Sequence, residues 1–491
     1  MSNQHTSQLL EILKGLPKVG KQISLDGNSL TIPRMVAIAN HGTKVNSTSD
    51  IRDLMKTNSD YLRDKLKEGT VVYGVNTGFG GSADVRSDDV LEIQRALLML
   101  LNAGFGDTMD PSLVRAVMAV RANSLSKGLS GVRPEVLDCL LFLINNDIIP
   151  VVPMRGSISA SGDLMPNSYI ASCMMGRSDL KAMYKGREMT MSDVIKESGM
   201  KPVTFQAKEV LSIVNAASFA SSLAACLLYE SSSAVLLTQA ATAMTVESLH
   251  GRVESFHPTI HNSMPHEGQI EVACNIRKIL TDSKLAEARL DMDLDDREGL
   301  LKQDRYALRT AAQWLSPTLD TITRAMKSVT IDLNSACDNP LIDHRKGHIL
   351  HGGNFQGTES AVAMDQVRQS LQICGKLMFA QFSEIVDVSI NNNLSPNLCG
   401  MDARHDFGFK GVEIAMAAYM SELDYLTAPI TQCLALISAR MTQQALKILQ
   451  MMLACMLLAQ VQAHDLRWLQ ISANKDLKAM NRIFGDIETI A

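Results

Sequence analysis

Aromatic residues make up only 4% of the 491-residue chain, so its interior must be filled by aliphatic side chains and methionine rather than by stacked rings. No Lys/Arg block interrupts the sequence, and the net charge is −5, which excludes a nucleic-acid footprint. The nine cysteines are odd in number and contain no CxxC pair. That pattern excludes a disulfide scaffold and implies a reduced, cytoplasmic protein. Met1-Ser2-Asn3-Gln4-His5 lacks a basic patch followed by an apolar core, so no secretory leader is expected. There is no G-x-G-x-x-G between a strand and a helix, no nucleophile elbow, no internal repeat and no low-complexity linker.

The composition that remains is globular, with 46% apolar and 20% charged residues. Residues 20–35 alternate short apolar pairs with Gly and Asn and predict a small hairpin. Helical spacing is read from Asp50 to Lys67, Asp88 to Ala103, Pro111 to Gly128 and Arg133 to Asn146. Gly/Pro density marks Ile149 to Pro166 as a loop. Beyond Pro202, long helices are predicted at 206–254, 316–333, 357–390, 409–427 and 433–473. The charge-free run Val210–Tyr229 is long enough to span a bilayer. Its Asn215 and its many Ser and Ala residues favour instead a helix buried in a soluble bundle, with no membrane partner. The expected architecture is mostly α, with an N-terminal domain at 1–205 and a long-helix bundle at 206–491. Helices of this length have apolar faces that one chain struggles to bury, so oligomerisation is expected.

Three stretches could carry chemistry. In Ala160-Ser161-Gly162 the small residues allow the backbone to fold back on itself. Attack of the Gly162 amide nitrogen on the Ala160 carbonyl would close a five-membered ring. Loss of two waters, one from the Ser161 hydroxyl, would leave an exocyclic alkene. An ordinary small-residue turn is the alternative. Tyr73 opens a glycine-rich loop, Gly74 to Gly81, where it is either a general base or a packing residue. Gln303, Tyr306 and Arg309 share a face if their stretch is helical, offering either a carboxylate clamp or a surface salt bridge. His257, His261 and His266, like His344, His348 and His351, do not complete a metal-ligand set, and no metal is expected.

Together, Val72-Tyr73-Gly74-Val75-Asn76-Thr77-Gly78-Phe79-Gly80, Ser159-Ala160-Ser161-Gly162-Asp163-Leu164, Gln303-Asp304-Arg305-Tyr306-Ala307-Leu308-Arg309, Asp338-Asn339-Pro340-Leu341 and Gly352-Gly353-Asn354-Phe355-Gln356-Gly357 resemble the aromatic amino acid ammonia-lyases and the related aminomutases. The resemblance runs nearly the whole chain, in the family's order. Lys376–Glu384 and Phe409–Ala417 look most like phenylalanine lyases. It implies an ammonia-lyase/fumarase-like bundle whose smaller N-terminal domain carries a methylidene-imidazolone (MIO) made from Ala160-Ser161-Gly162. It implies further that Tyr73 is the base and that Asn215 binds the MIO oxygen. Arg309 and Asn339 would hold the substrate carboxylate, Gln303 and Tyr306 would orient substrate and MIO, and Phe355, Lys410 and Ile414 would line the site. Homotetramers with sites shared between chains are implied as well.

Leu100 and Leu101 match the family's ring-pocket pair and offer no hydrogen bond to a phenol or imidazole. A polar ring would leave a group unsatisfied at about 1–3 kcal/mol, which favours L-phenylalanine, deaminated to trans-cinnamate and ammonia. A tyrosine lyase and an aminomutase are the alternatives. Two departures stand out. Asn215-Ala216-Ala217 replaces the usual Asn-Gly-Thr, and Thr431-Gln432 runs almost directly into Cys433-Leu434, where relatives carry a further dozen or so residues including a Glu or Gln. The short junction predicts weak turnover, or at the limit an inactive scaffold.

Overall fold

The computed structural model describes the backbone of residues 4–18, 20–87, 89–286, 303–430 and 433–488, with side chains as far as 475. It is 61% helix and 7% strand, in agreement with the mostly α expectation. In chain order the first half holds α1 (Gln4–Lys14), α2 (Ile32–His41), α3 (Ser49–Lys67), α4 (Val90–Leu101), α5 (Pro111–Leu125), α6 (Pro134–Asn145), α7 (Leu164–Met174), α8 (Met191–Ser198) and α9 (Glu209–Val214). The second half holds α10 (Ser218–Ser248), α11 (Pro258–Asn262), α12 (Glu267–Ile279), α13 (Tyr306–Arg309), α14 (Ala311–Leu333), α15 (Thr358–Val386), α16 (Lys410–Leu426) and α17 (Ala435–Glu488).

Strands are short and local. β1 (Ile23–Ser24) pairs in parallel with β2 (Val45–Asn46). The antiparallel pair β3 (Phe105–Thr108) and β5 (Pro153–Arg155) lies beside β4 (Ile149–Pro150), which joins β6 (Lys181–Tyr184) and β7 (Arg187–Thr190). A last hairpin is formed by β8 (Leu341–Asp343) and β9 (His348–Leu350).

The hairpin expected at 20–35 is not formed. Thr31 caps α2 by accepting from the Arg34 amide, Pro33 fits the first turn, and the helix ends at a left-handed Gly42. Those capping signals outweigh a two-residue strand, whose partner lies beyond the helix rather than across a turn. The continuous helix expected from 206 is also interrupted: α9 ends at Val214, and Asn215–Ala217 form a non-helical turn before α10.

The bundle is α10, α14, α15 and α17 packed lengthwise, with α16 along α15 and α17. The Val210–Tyr229 run lies inside it. Helix α10 is uncharged except at Glu230 and Glu247, yet it is rich in hydroxyls, and it satisfies many of them itself. Ser232, Thr238, Thr242 and Thr245 donate to the carbonyls of Leu228, Ala234, Thr238 and Ala241. Back-bonding of this kind removes the cost of burying an unpaired hydroxyl, so the helix can be enclosed on all sides. Helices α15 and α16 approach closely at Gly375, where an added Cβ would stand 2.5 Å from Leu423 Cδ1.

Two buried arginines pin the long C-terminal helix. Arg368 on α15 donates to Asp365 at 2.6 Å and to Ser438 and Thr442 of α17. Arg467 donates to the carbonyls of Ser248, Asn391 and Asn392, each at 2.7 Å. Replacing Arg467 with Ala strands three buried carbonyls at the far end of the bundle. The expected result is a loss of about 3 kcal/mol in urea unfolding, with no gain from the smaller side chain.

Candidate active site

The Ala160–Gly162 turn is built by a buried carboxylate. Asp163, at the start of α7, is fully enclosed. Its Oδ1 accepts from Ser157 and Ser159 hydroxyls at 2.8 and 2.7 Å, and its Oδ2 accepts from the Ala220 amide of α10 at 2.9 Å. Burial raises the Asp163 pKa, and these same hydrogen bonds oppose the rise. The Asp163 amide in turn donates to the Ala216 carbonyl at 2.8 Å. Ser159 is held at φ 56° and Gly162 at φ 79°, with Ala160 and Gly162 bridging across Ser161. A Cβ on Gly162 would lie 2.5 Å from the Ala216 nitrogen, so only glycine fits this approach.

The interruption between α9 and α10 now has a reason. It brings Asn215 over the turn, where Asn215 Nδ2 donates to the Ser161 carbonyl oxygen at 2.6 Å. An unbroken helix could not present both that amide and the Ala216 carbonyl.

A second loop faces this one. Tyr73 Oη accepts from the Gly80 amide at 3.0 Å, so the glycine loop closes on its own tyrosine. Its backbone N–H donates to His351 Nε2 at 3.4 Å, and its ring meets the edges of Phe79 and His351. His351 leads into the 352–357 loop. There the Gly352 amide donates to Asn339 Oδ1 at 3.0 Å, and Gln356 Nε2 contacts Cys433 Sγ at 2.7 Å. A Cβ on Gly357 would come within 2.9 Å of Ala435 and 3.4 Å of Ala217. Tyr73, Ser161, Asn215, Asn339 and Phe355 are thus gathered at one end of the bundle through these loops. Leu101 is half-buried and Leu100 is exposed at the end of α4, which packs on α7 and α9.

Gln303, Tyr306, Arg309, Lys410 and Ile414 are not gathered there. The face expected for the first three is not formed, because Gln303 lies before α13 and only Tyr306–Arg309 is helical. Arg309 Nε donates to the Asp304 carbonyl at 3.2 Å, and Arg309 pairs with no carboxylate among the described residues. This stretch is tied to the far end of the bundle. Asp304 accepts from the Arg252 amide just past α10, and Gln381 near the end of α15 donates to the Ala307 carbonyl. Phe409, before Lys410, meets Phe382 edge-on, so exposed Lys410 and Ile414 belong to that end too. Helix α10 has 31 residues and separates the two groups by about 46 Å at 1.5 Å per residue.

The family model for aromatic amino acid lyases matches residues 30–484. The chain belongs to the aromatic amino acid lyase family. It is 42% identical to a phenylalanine ammonia-lyase of Aspergillus hancockii, covering 93% of this chain and 69% of that protein. It is 39% identical to the L-beta-phenylalanine-forming phenylalanine aminomutase of Taxus canadensis, covering 96% and 71%. The solved phenylalanine ammonia-lyase of the yeast Rhodosporidium toruloides superposes with a TM-score of 0.90 at 34% identity, covering 99% of this chain and 76% of that one. The tyrosine aminomutase of Streptomyces globisporus superposes with a TM-score of 0.84 at 28% identity, over 91% and 89%. As a member of this family the chain is a carbon–nitrogen lyase.

Sequence reading passed over Ser159, Asp163, Ala216, His351 and Gly357 as individual actors in this lyase. Each lies in or beside a stretch already singled out, so proximity in sequence was the available signal. Thr431 and Gln432 of the short junction lie outside the described residues. Among the described residues no group of three or more His, Cys, Asp or Glu is placed to hold a metal.

The far group carries its own titrating residue. Burial lifts the Glu384 carboxyl from its ordinary 4.5 to about 7, against the pull of Arg305. The folded chain therefore keeps a proton that the unfolded chain has released. The resulting stabilisation is present in full below about 4.5 and is lost as the pH rises through about 7. Glu384→Gln is expected to flatten that slope in melting experiments between pH 4.5 and 7, and to melt higher than the parent above pH 7.

Proposed function

We propose that this lyase removes ammonia non-oxidatively from L-phenylalanine, giving trans-cinnamate, at an electrophile formed from its own Ala160-Ser161-Gly162. One observation carries the reading. Cyclisation joins the Gly162 nitrogen to the Ala160 carbonyl carbon and expels that carbonyl's oxygen as water. A second water takes the Ser161 hydroxyl. The oxygen that survives on the ring is the Ser161 carbonyl oxygen, the atom to which Asn215 Nδ2 donates at 2.6 Å. The residues fit the group, since Ala160 and Gly162 already bridge and no side chain intrudes at Gly162.

The MIO supplies an electron-poor alkene that makes the substrate amine a better leaving group. The chain's residues do the rest. Asn215 stabilises negative charge arriving at the Ser161 oxygen. Tyr73 takes the β-proton, from a loop that holds its phenol oxygen to the Gly80 amide. Arg309 grips the substrate carboxylate with Asn339 beside it. Gln303 and Tyr306 orient substrate and ring, while Phe355, Lys410, Ile414, Leu100 and Leu101 shape the pocket. In this reading 1–205 is the part that carries the tripeptide and 206–491 the core of assembly.

Arg309 cannot serve the Ser161 of its own chain across the length of α10, so the reading requires sites shared between copies. We infer a homotetramer. The exposed Met451, Leu458, Val461, Trp468 and Leu469 on α17 give such copies an apolar surface to bury. All nine cysteines are unpaired, which suits a cytoplasmic location. The aminomutase reading is kept alive by the Taxus relative, since the same proton abstraction serves both outcomes.

A peptide spanning 156–164 is expected to weigh two waters less than its sequence, and Ser161→Ala to restore the full mass and abolish turnover. Incubation with L-phenylalanine should accumulate cinnamate; a β-amino acid as the main product would assign the mutase reaction instead, and an unmodified peptide would remove the electrophile. Leu100→His is expected to raise activity on L-tyrosine relative to L-phenylalanine by about tenfold, because the imidazole pairs with a phenol that leucine leaves bare. An unmoved ratio takes Leu100 out of the ring pocket.

A further inference from the structure

Behind the Ala216–Ser218 turn lies a cavity of about 320 Å³ that the reaction above does not use. Its wall includes Arg121, Ser124, Ser221, Asp332 and Ser335, but neither Asn215 nor any residue of the 159–163 turn. Arg121 is 1% exposed, yet its Nε and Nη1 have no hydrogen-bond partner. Its Nη2 donates to Ser124 Oγ at 3.1 Å and stands 3.5 Å from Asp338.

Asp338 does not neutralise this arginine alone. Its other oxygen faces Lys208 Nζ at 3.7 Å, and both groups are wholly buried. One carboxylate is thus shared between two cationic side chains. Burial pulls Lys208 toward its neutral form, and Asp338 opposes that. Two guanidinium nitrogens, with three N–H groups between them, left without partners are costly in a protein interior, and a planar fork of donors matches an oxyanion best. The hydroxyls of Ser124, Ser221 and Ser335 already donate to the carbonyls of Ser335, Ser218 and Ile331, so the guanidinium is the donor set that remains open. The second carboxyl on the wall, Asp332, accepts from Ser360 at 2.6 Å on one oxygen. Its burial favours the protonated form, which lessens repulsion of an anion. The amides of α10 are not the attraction, because Asp163 already occupies that of Ala220.

We propose that this cavity is a binding site for one small oxyanion per chain, held by the buried Arg121 guanidinium. The cavity shares Gly353, Asn354 and Gln356 with the loop that carries Phe355, but the contacts argued here involve none of the residues given a role in the deamination.

Isothermal titration of the assembled protein with sodium sulfate, against sodium chloride at equal ionic strength, is expected to give saturable binding of one ion per chain. Parallel titrations with phosphate and acetate separate a tetrahedral oxyanion from a carboxylate as the preferred form. Crystals soaked in selenate are expected to carry an anomalous peak within hydrogen-bond reach of Arg121. Arg121→Gln should weaken sulfate by at least about tenfold. Ser221→Leu fills the cavity while keeping the cation, and should block binding with circular dichroism and elution volume unchanged. Absence of saturable oxyanion binding to the parent protein, a selenate peak only elsewhere, or unaltered affinity in a folded Ser221→Leu protein would overturn the proposal.

Discussion

A carboxylate placed where water cannot reach it must be surrounded by donors, and Asp163 recruits them from three parts of the chain. Ser157 and Ser159 come from the loop before it, and the Ala220 amide comes from the start of α10. Its own amide takes the Ala216 carbonyl. Leaving any of these unmade would strand a buried polar group, at about 1–3 kcal/mol. The demand therefore fixes the height of α10 against α7 and bends the backbone tightly across Ser161. It also forces the break at Asn215–Ala217, since a regular helix there would keep the Ala216 carbonyl for itself.

That break gives the site its electrostatics. Asn215 points a donor at the one carbonyl oxygen that would collect charge, from a position set by the scaffold rather than by a mobile loop. Tyr73 is arranged differently. It sits on a glycine loop where its phenol oxygen takes the Gly80 amide, and the loop is tied further by Gln94 to the Gly74 carbonyl, by the Gly78 amide to Val85 and by one longer bond to His351. In the proposed reaction the turn would carry the electrophile and the Tyr73 loop the base, a division of labour suited to elimination chemistry.

The length of α10 is the reason the proposed catalyst needs more than one copy of the chain. Helices of this size pack well only along their whole length, which leaves the two halves of the catalytic set at opposite ends. In the assembly proposed above, a second copy set alongside in reverse would return an Arg309 to a Ser161 and cover the exposed apolar residues of α17.

Much of this was legible in the residues alone. Helical periodicity located α14, α15, α16 and the start of α17 to within about five positions, because long amphipathic segments average out local exceptions, while α17 runs on to Glu488, fifteen residues past its expected end. The tripeptide, Tyr73 and the 352–357 loop were visible as breaks in that periodicity. Short elements were not legible: β1 finds its partner beyond a capped helix, and two residues carry no pattern. Nor was the interruption at Asn215, since Val210–Tyr229 is uniformly uncharged and the cause of the break, Asp163, lies some fifty residues away in sequence. The sequence by itself determined where the long helices of the bundle run and which side chains bring chemistry. Only the tertiary structure decided which of them meet, because a buried carboxylate and the length of one helix set distances that no local pattern encodes.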